Sequence, residues 1–119
     1  MNVAVLGASA RPERYSNQAV ARLTALKHTV FPVNPSLSEI HGIKVYYSLL
    51  QIPESLDTVT VYLAPEKSSP LESELLEVKP RRVIFNPGAE NPSLMTVLQA
   101  AGIHCLEACT LILLATDQF

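Results

Sequence analysis

The sequence contains little charge and no long apolar run, and these absences exclude several classes of protein. Charged residues make up 17% of the 119 residues and the formal net charge is −2, so the chain lacks the basic surface that attracts nucleic acid. Every apolar run is far shorter than the roughly 20 residues that cross a bilayer. The two cysteines, Cys105 and Cys109, are too few for the disulfide framework of a small secreted domain. We therefore expect a cytoplasmic protein that binds neither nucleic acid nor membrane.

The chain also lacks the residue sets that catalysis or metal binding requires. No combination of Ser, His and Asp and no pair of carboxylates can be assembled into a catalytic arrangement. The three histidines, His28, His41 and His104, share no ligand spacing with the cysteines. We therefore expect no metal site and no catalytic residue, which favours a binding protein over an enzyme.

Short apolar strands alternate with helices along the chain, whose 119 residues suit one domain, residues 1–119. The predicted strands are Val3–Leu6, Thr29–Val33, Thr58–Leu63, Arg82–Asn86 and Ile103–Glu107. The predicted helices are Gln18–Lys27 with Ser16-Asn17 as its N-cap, Ser69–Val78, and a helix that Asn91-Pro92 opens and Gly102 ends. The segment from Ser36 to Asp57 is predicted to be irregular apart from one short turn after Ser48, and Thr110–Phe119 fits a strand or a short helix. This alternation predicts an α/β, Rossmann-like three-layer fold with a five-stranded, mostly parallel sheet of order 3-2-1-4-5.

The loop between the first strand and the first helix is the strongest candidate for a binding site. Gly7 ends the strand, and backbone N–H groups at the start of the following helix have no partner within the helix, which favours a phosphate. Hydroxyl groups and arginines in the same loop could add donors and positive charge. The predicted ligand-binding residues here are Gly7, Ala8, Ser9, Arg11, Arg14, Ser16 and Asn17. The dinucleotide motif G-x-G-x-x-G is absent, and a plain turn without a ligand remains an alternative.

The end of the second strand bears on which nucleotide the site would accept. A dinucleotide-binding protein of this fold usually carries Asp or Glu there, to hold the ribose hydroxyls of adenosine. This chain has Val33-Asn34-Pro35, and the neutral Asn34 would not repel a phosphate on the ribose. The position therefore argues mildly against NAD and permits coenzyme A, whose ribose carries a 3′-phosphate.

Several short motifs resemble, in their order and spacing, the small CoA-binding domain proteins. They are Gly7-Ala8-Ser9, Arg14-Tyr15-Ser16, Val33-Asn34-Pro35, Gly42, Tyr47-Ser48-Leu49, Ile52-Pro53, Pro87-Gly88 and Ala101-Gly102-Ile103. The chain is similar over nearly its whole length to the N-terminal CoA-binding domain of the succinyl-CoA ligase alpha subunit. The resemblance implies a Rossmann-like fold with phosphates near Gly7 to Ser16 and adenosine near Val33-Asn34-Pro35 and Tyr47. It implies pantetheine toward Ala64-Pro65 and Pro87-Gly88.

The expected function is therefore binding of coenzyme A or an acyl-CoA by a nucleotide-binding module, with a protein partner or a homo-oligomer possible. The alternatives are a regulatory or scaffold protein that keeps the fold without a ligand, and an NAD(P)-binding module. Enzymatic acyl-CoA chemistry with Cys109 as nucleophile is the weakest of the alternative functions. Arg11 and Arg14 fit either phosphate contacts or solvated loop charges, and Tyr47 fits either base stacking or packing.

Overall fold

The computed structural model describes residues 1–119 and confirms an α/β, Rossmann-like fold. The strands are β1 (Asn2–Leu6), β2 (Thr29–Val33), β3 (Glu39–Ile40), β4 (Ile43–Lys44), β5 (Thr58–Val61), β6 (Arg82–Phe85) and β7 (His104–Glu107). The helices are α1 (Tyr15–Ala25), α2 (Pro65–Ser68), α3 (Glu72–Val78), α4 (Pro92–Ala100) and α5 (Thr110–Ala115), with 3₁₀ turns at Leu49–Gln51 and Ser69–Leu71. Strands β3 and β4 form a separate antiparallel hairpin, and the other strands form one parallel, five-stranded sheet. No helix has the length and apolar character needed to span a membrane.

The sheet separates two apolar cores because successive side chains of a strand point to opposite faces. Val3 and Val5 of β1 pack on the face that α1 and α5 cover. Ala4 and Leu6 pack on the other face, in the core to which α3, α4 and the Leu49–Gln51 turn contribute. This burial on both sides explains the uninterrupted apolar run of β1.

The order of strands in the sheet differs from the predicted 3-2-1-4-5 at one strand. The observed order is β2-β1-β5-β6-β7, so the third strand of the main sheet, β5, pairs with β1 instead of lying outside β2. The outer edge of β2 is already occupied, because the N–H of Tyr46 donates to the carbonyl of Pro32 (2.8 Å) and the N–H of Asn34 donates to the carbonyl of Tyr46 (3.0 Å). Proline also lacks the N–H that a central strand would need. The switch point therefore lies between β1 and β5, and their carboxyl ends define the crevice.

Local details of several helices also differ from the prediction. Helix α1 begins at Tyr15 with Arg14 in the N-cap position and without a side-chain cap, so Ser16-Asn17 is inside the helix. The predicted Ser69–Val78 helix is divided into α2, a 3₁₀ turn and α3, and the Ser36–Asp57 segment contains the β3–β4 hairpin. The start of α4 is as predicted, because the Asn91 side chain accepts a hydrogen bond from the N–H of Leu94 at 3.2 Å.

Candidate functional site

Two neighbouring cavities open at the carboxyl ends of β1, β2 and β5. The larger has a volume of about 720 Å³, within the range of small-molecule sites. The smaller has a volume of about 300 Å³, and the two share Gly7, Ser9 and Arg14 in their walls. The loop after β1 therefore separates two compartments of one crevice.

The backbone of this loop turns at Gly7 and is bonded to β2. Gly7 has a φ of +89°, which side chains rarely adopt, and a Cβ at this position would lie 2.8 Å from Cδ2 of Leu63. The N–H groups of Gly7 and Ala8 both donate to the carbonyl of Val33, at 3.2 and 3.1 Å. These two donors are therefore already used, and a phosphate would have to be held by groups later in the loop.

Two buried or half-buried asparagines hold the carbonyl groups of the loop. Nδ2 of Asn34 donates to the carbonyl of Ala8 (2.8 Å), and its Oδ1 accepts from the N–H of Ser36 (2.7 Å). Nδ2 of Asn17 donates to the carbonyl of Ser9 (2.9 Å). In the structure the amides of both side chains shape the loop and the adjacent turn. Their predicted contact with a ligand stays a prediction.

The first turn of α1 presents free hydrogen-bond donors to the smaller cavity. The N–H groups of Tyr15, Ser16 and Asn17 have no acceptor, and no side chain caps the helix. The Ser16 side chain lines this cavity, is 5% exposed and makes no hydrogen bond. Unpaired N–H groups at a helix N-terminus carry partial positive charge, so this turn suits an anion.

The formal charges of the crevice are mainly positive. Arg14 belongs to both cavities and Lys67 to the larger one, and neither forms an ion pair. Nε of Arg11 instead lies 2.8 Å from Oε1 of Glu13. Glu74 is the only acidic residue in the wall of the larger cavity. Arg14 and Lys67 would balance the negative charge of phosphate groups bound in the crevice. Because the chain as a whole has a net charge of −2, the attraction for an anion is local to this crevice.

A buried polar network fixes the far side of the smaller cavity. Nδ2 of Asn86 donates to Oγ1 of Thr60 (2.7 Å), and Oδ1 of Asn86 accepts from the N–H of Thr110 (2.8 Å). Tyr62 lies beside this network, and burial raises its pKa to about 12 although the neighbouring threonine hydroxyls oppose the shift. No group stands in hydrogen-bonding geometry to the Tyr62 hydroxyl. The network holds the end of β6 next to α5 and thereby positions Pro87 in the cavity wall.

The two cysteines lie in different surroundings. Cys105 is buried in the core and its pKa is raised to about 11 because burial disfavours the thiolate. Cys109 is a half-buried free thiol at the N-cap of α5. Neither cysteine lines the described cavities. No cluster of His, Cys, Asp and Glu is arranged to hold a metal ion.

The structure brings most of the predicted ligand-binding residues into one crevice. Those in the larger cavity are Gly7, Ala8, Ser9, Arg14, Val33, Asn34, Pro35 and Tyr47. Those found only in the smaller cavity are Arg11, Ser16 and Pro87. Asn17, Ala64, Pro65 and Gly88 line neither cavity.

Sequence reasoning missed several residues of the crevice. They are Leu6, Ser36, Ser48, Leu63, Lys67, Leu71 and Glu74 in the larger cavity, and Tyr15 and Tyr62 in the smaller. Lys67 and Glu74 lie on α2 and α3, which reach the loop only because β5 pairs with β1. A signal for Lys67 was present, since Pro65 is typical of the first position of a helix and places Lys67 in its first turn.

Comparison with known proteins relates this chain to a family. A family model described as a CoA binding domain matches residues 1–115. A solved structure titled as that of an uncharacterized protein shares 35% identity with a TM-score of 0.93 and covers 99% of this chain and 97% of its own. The uncharacterized protein YneT of Bacillus subtilis is 33% identical over 75 residues, which are 63% of this chain and 56% of that protein. The ADP-forming acetate–CoA ligase I of Archaeoglobus fulgidus is 38% identical over 68 residues, which are 57% of this chain and only 10% of the ligase.

Proposed function

The chain belongs to the CoA binding domain family, and on that premise we propose that it binds coenzyme A or an acyl-CoA across the carboxyl ends of β1, β2 and β5. The residues present fit such a group. The crevice combines a volume of about 720 Å³ with unpaired donors, two unpaired cations and apolar walls. Coenzyme A supplies the thiol that carries an acyl group, and the protein's own residues bind and orient the nucleotide.

The first turn of α1 is the observation that carries the proposal. Its free N–H groups and the hydroxyl of Ser16, which makes no hydrogen bond within the protein, lie beside Arg14. Donors without an acceptor at the start of a helix carry partial positive charge, so an anion would complete this cluster. A diphosphate supplies acceptor oxygens and negative charge for all of these donors. We assign the phosphates of the ligand to this turn and to the loop from Ser9 to Arg14.

The larger cavity suits the adenosine half of the ligand. Tyr47 is 65% exposed and lines this cavity together with the apolar residues Leu63 and Leu71. Such a surface can stack a base, and Lys67 would balance a phosphate on the ribose. The pantetheine would then extend toward Pro87, Gly88 and the Ala64-Pro65 turn.

Catalysis is not part of the proposal. The crevice contains no nucleophile with a base in hydrogen-bonding distance, and Cys109 lies outside both cavities. A cytoplasmic location, and a protein partner or a second copy of the chain, remain predictions. So do the alternatives of an NAD(P) ligand and of a fold that has lost its ligand.

Thermal unfolding with different nucleotides tests the proposal. At about 100 times its dissociation constant, coenzyme A should stabilise the protein by roughly 2.7 kcal/mol. Dephospho-CoA, NAD and NADP at equal concentration should raise the unfolding temperature less. An equal or larger effect of NADP would replace the proposal with the dinucleotide alternative. No effect of any of these ligands would favour the regulatory or scaffold alternative.

A further inference from the structure

A chain of hydrogen bonds links the β3–β4 hairpin to the loop after β1. His41 lies at the tip of this hairpin, and its Nε2 donates to Oδ1 of Asn17 at 2.8 Å. Nδ2 of Asn17 in turn donates to the carbonyl of Ser9 at 2.9 Å. Asn17 is 4% exposed, so its amide orientation depends on these two partners. This series of hydrogen bonds ends at Ser9, which lines both cavities.

The conformation of His41 is unusual for its side chain. Its φ is +52°, and the following Gly42 has a φ of +75°, so both residues of the two-residue hairpin turn are left-handed. Such turns prefer Asn or Gly at the first position. Histidine is a less favourable choice for the backbone, but its longer side chain reaches Asn17. A left-handed residue that is exposed and not needed for the core points to a role for its side chain.

We propose that His41 is a positioning residue for the phosphate-binding loop. By fixing the Asn17 amide, it keeps the carbonyl of Ser9 turned toward Asn17, away from an incoming anion. Asn34 does the same for the carbonyl of Ala8. Because both carbonyls are held, the donors of Ser9 and of the first turn of α1 are already oriented before a ligand arrives. The effect of His41 on ligand affinity rests on the proposed function, since the anion would be a phosphate of coenzyme A.

The substitution His41→Asn separates positioning from folding. Asn tolerates the left-handed turn at least as well, but its shorter side chain does not span the distance to Asn17. We expect an unchanged or higher unfolding temperature. Loss of one hydrogen bond should weaken coenzyme A about threefold to tenfold in isothermal titration. Lys27→Asn is the matched control, because Lys27 also has a positive φ (72°) but takes no part in the hydrogen bonds from His41 through Asn17 to Ser9; it should leave the affinity unchanged.

A ligand-free measurement keeps the inference independent of the proposed function. Backbone order parameters of residues 8–11 should fall in His41→Asn and stay at the wild-type value in Lys27→Asn. In an Asn17→Ser background, His41→Asn should cause no further loss of affinity, because the two residues act through one chain. Wild-type order parameters in His41→Asn, or lower stability with unchanged affinity, would overturn the inference. Failure of the wild-type protein to bind coenzyme A would overturn the proposed function alone, and the order parameters would still decide the role of His41.

Discussion

Removal of the Arg14 side chain is the most direct test of the phosphate assignment. Arg14 lines both cavities, forms no ion pair and is exposed. Its replacement by Ala should therefore change the free energy of unfolding by no more than about 0.5 kcal/mol. Any large effect on ligand binding would then come from the site and not from the fold.

The expected loss of affinity follows from the type of contact. A hydrogen bond to a charged group is typically worth about 1.5–3 kcal/mol, which corresponds to a roughly 10- to 150-fold change in the dissociation constant. Water and salt screen an exposed guanidinium, so we expect a value near the lower end for Arg14→Ala. The loss should shrink further as the salt concentration rises.

Isothermal titration with coenzyme A at low and high salt measures this effect. Arg22→Ala is the matched control, because Arg22 is an exposed arginine of α1, the helix that Arg14 precedes, and it lines neither cavity. Arg11→Ala should have a smaller effect than Arg14→Ala, since Arg11 is paired with Glu13. If Arg14→Ala binds coenzyme A as tightly as the wild type at low salt, Arg14 is a solvated loop charge and the assignment of the phosphates to this turn is refuted.

Other substitutions test the loop, the buried network and the cysteines. Gly7→Ala should lower the free energy of unfolding by about 1–3 kcal/mol in urea denaturation, because φ is +89° and the new Cβ would lie 2.8 Å from Leu63; wild-type stability would contradict this reason. Burial raises the pKa of Tyr62 to about 12, so the wild type should lose stability as the pH rises from about 10, the unfolded value, toward that folded-state pKa. Tyr62→Phe should lose less stability at alkaline pH than the wild type and should change the stability little near pH 7, since the Tyr62 hydroxyl has no hydrogen bond. If the stability of the variant and of the wild type depended on alkaline pH in the same way, this explanation would be wrong. Iodoacetamide at pH 8 should modify Cys109 well before Cys105, because Cys105 is buried with a pKa of about 11. Peptide mass spectrometry measures the two labelling rates, and equal rates would show that the core opens readily.

The sequence by itself predicted the five strands of the main sheet and the turn at Gly7. The apolar run of β1 followed by Gly7 predicted a buried strand and a turn, because only a strand covered on both faces is apolar at every position. Asn91-Pro92 and Gly102 likewise predicted the two ends of α4. These signals are local, since each depends on backbone conformation or on burial within a few residues. The crevice beside Gly7 was predicted for the same reason.

The tertiary structure alone decided the strand order and the use of the polar side chains. In the sheet, β5 pairs with β1, and the segment around Tyr46 covers the outer edge of β2. Both contacts join residues that are far apart in the sequence, so a local pattern does not predict them. The pairing of β5 with β1 brings Lys67 and Glu74 to the loop. The amides of Asn17 and Asn34 bind loop carbonyls, and these contacts were not predicted from the sequence. A side chain's partner is set by what the fold places within about 3 Å of it, and residue type alone does not contain that information.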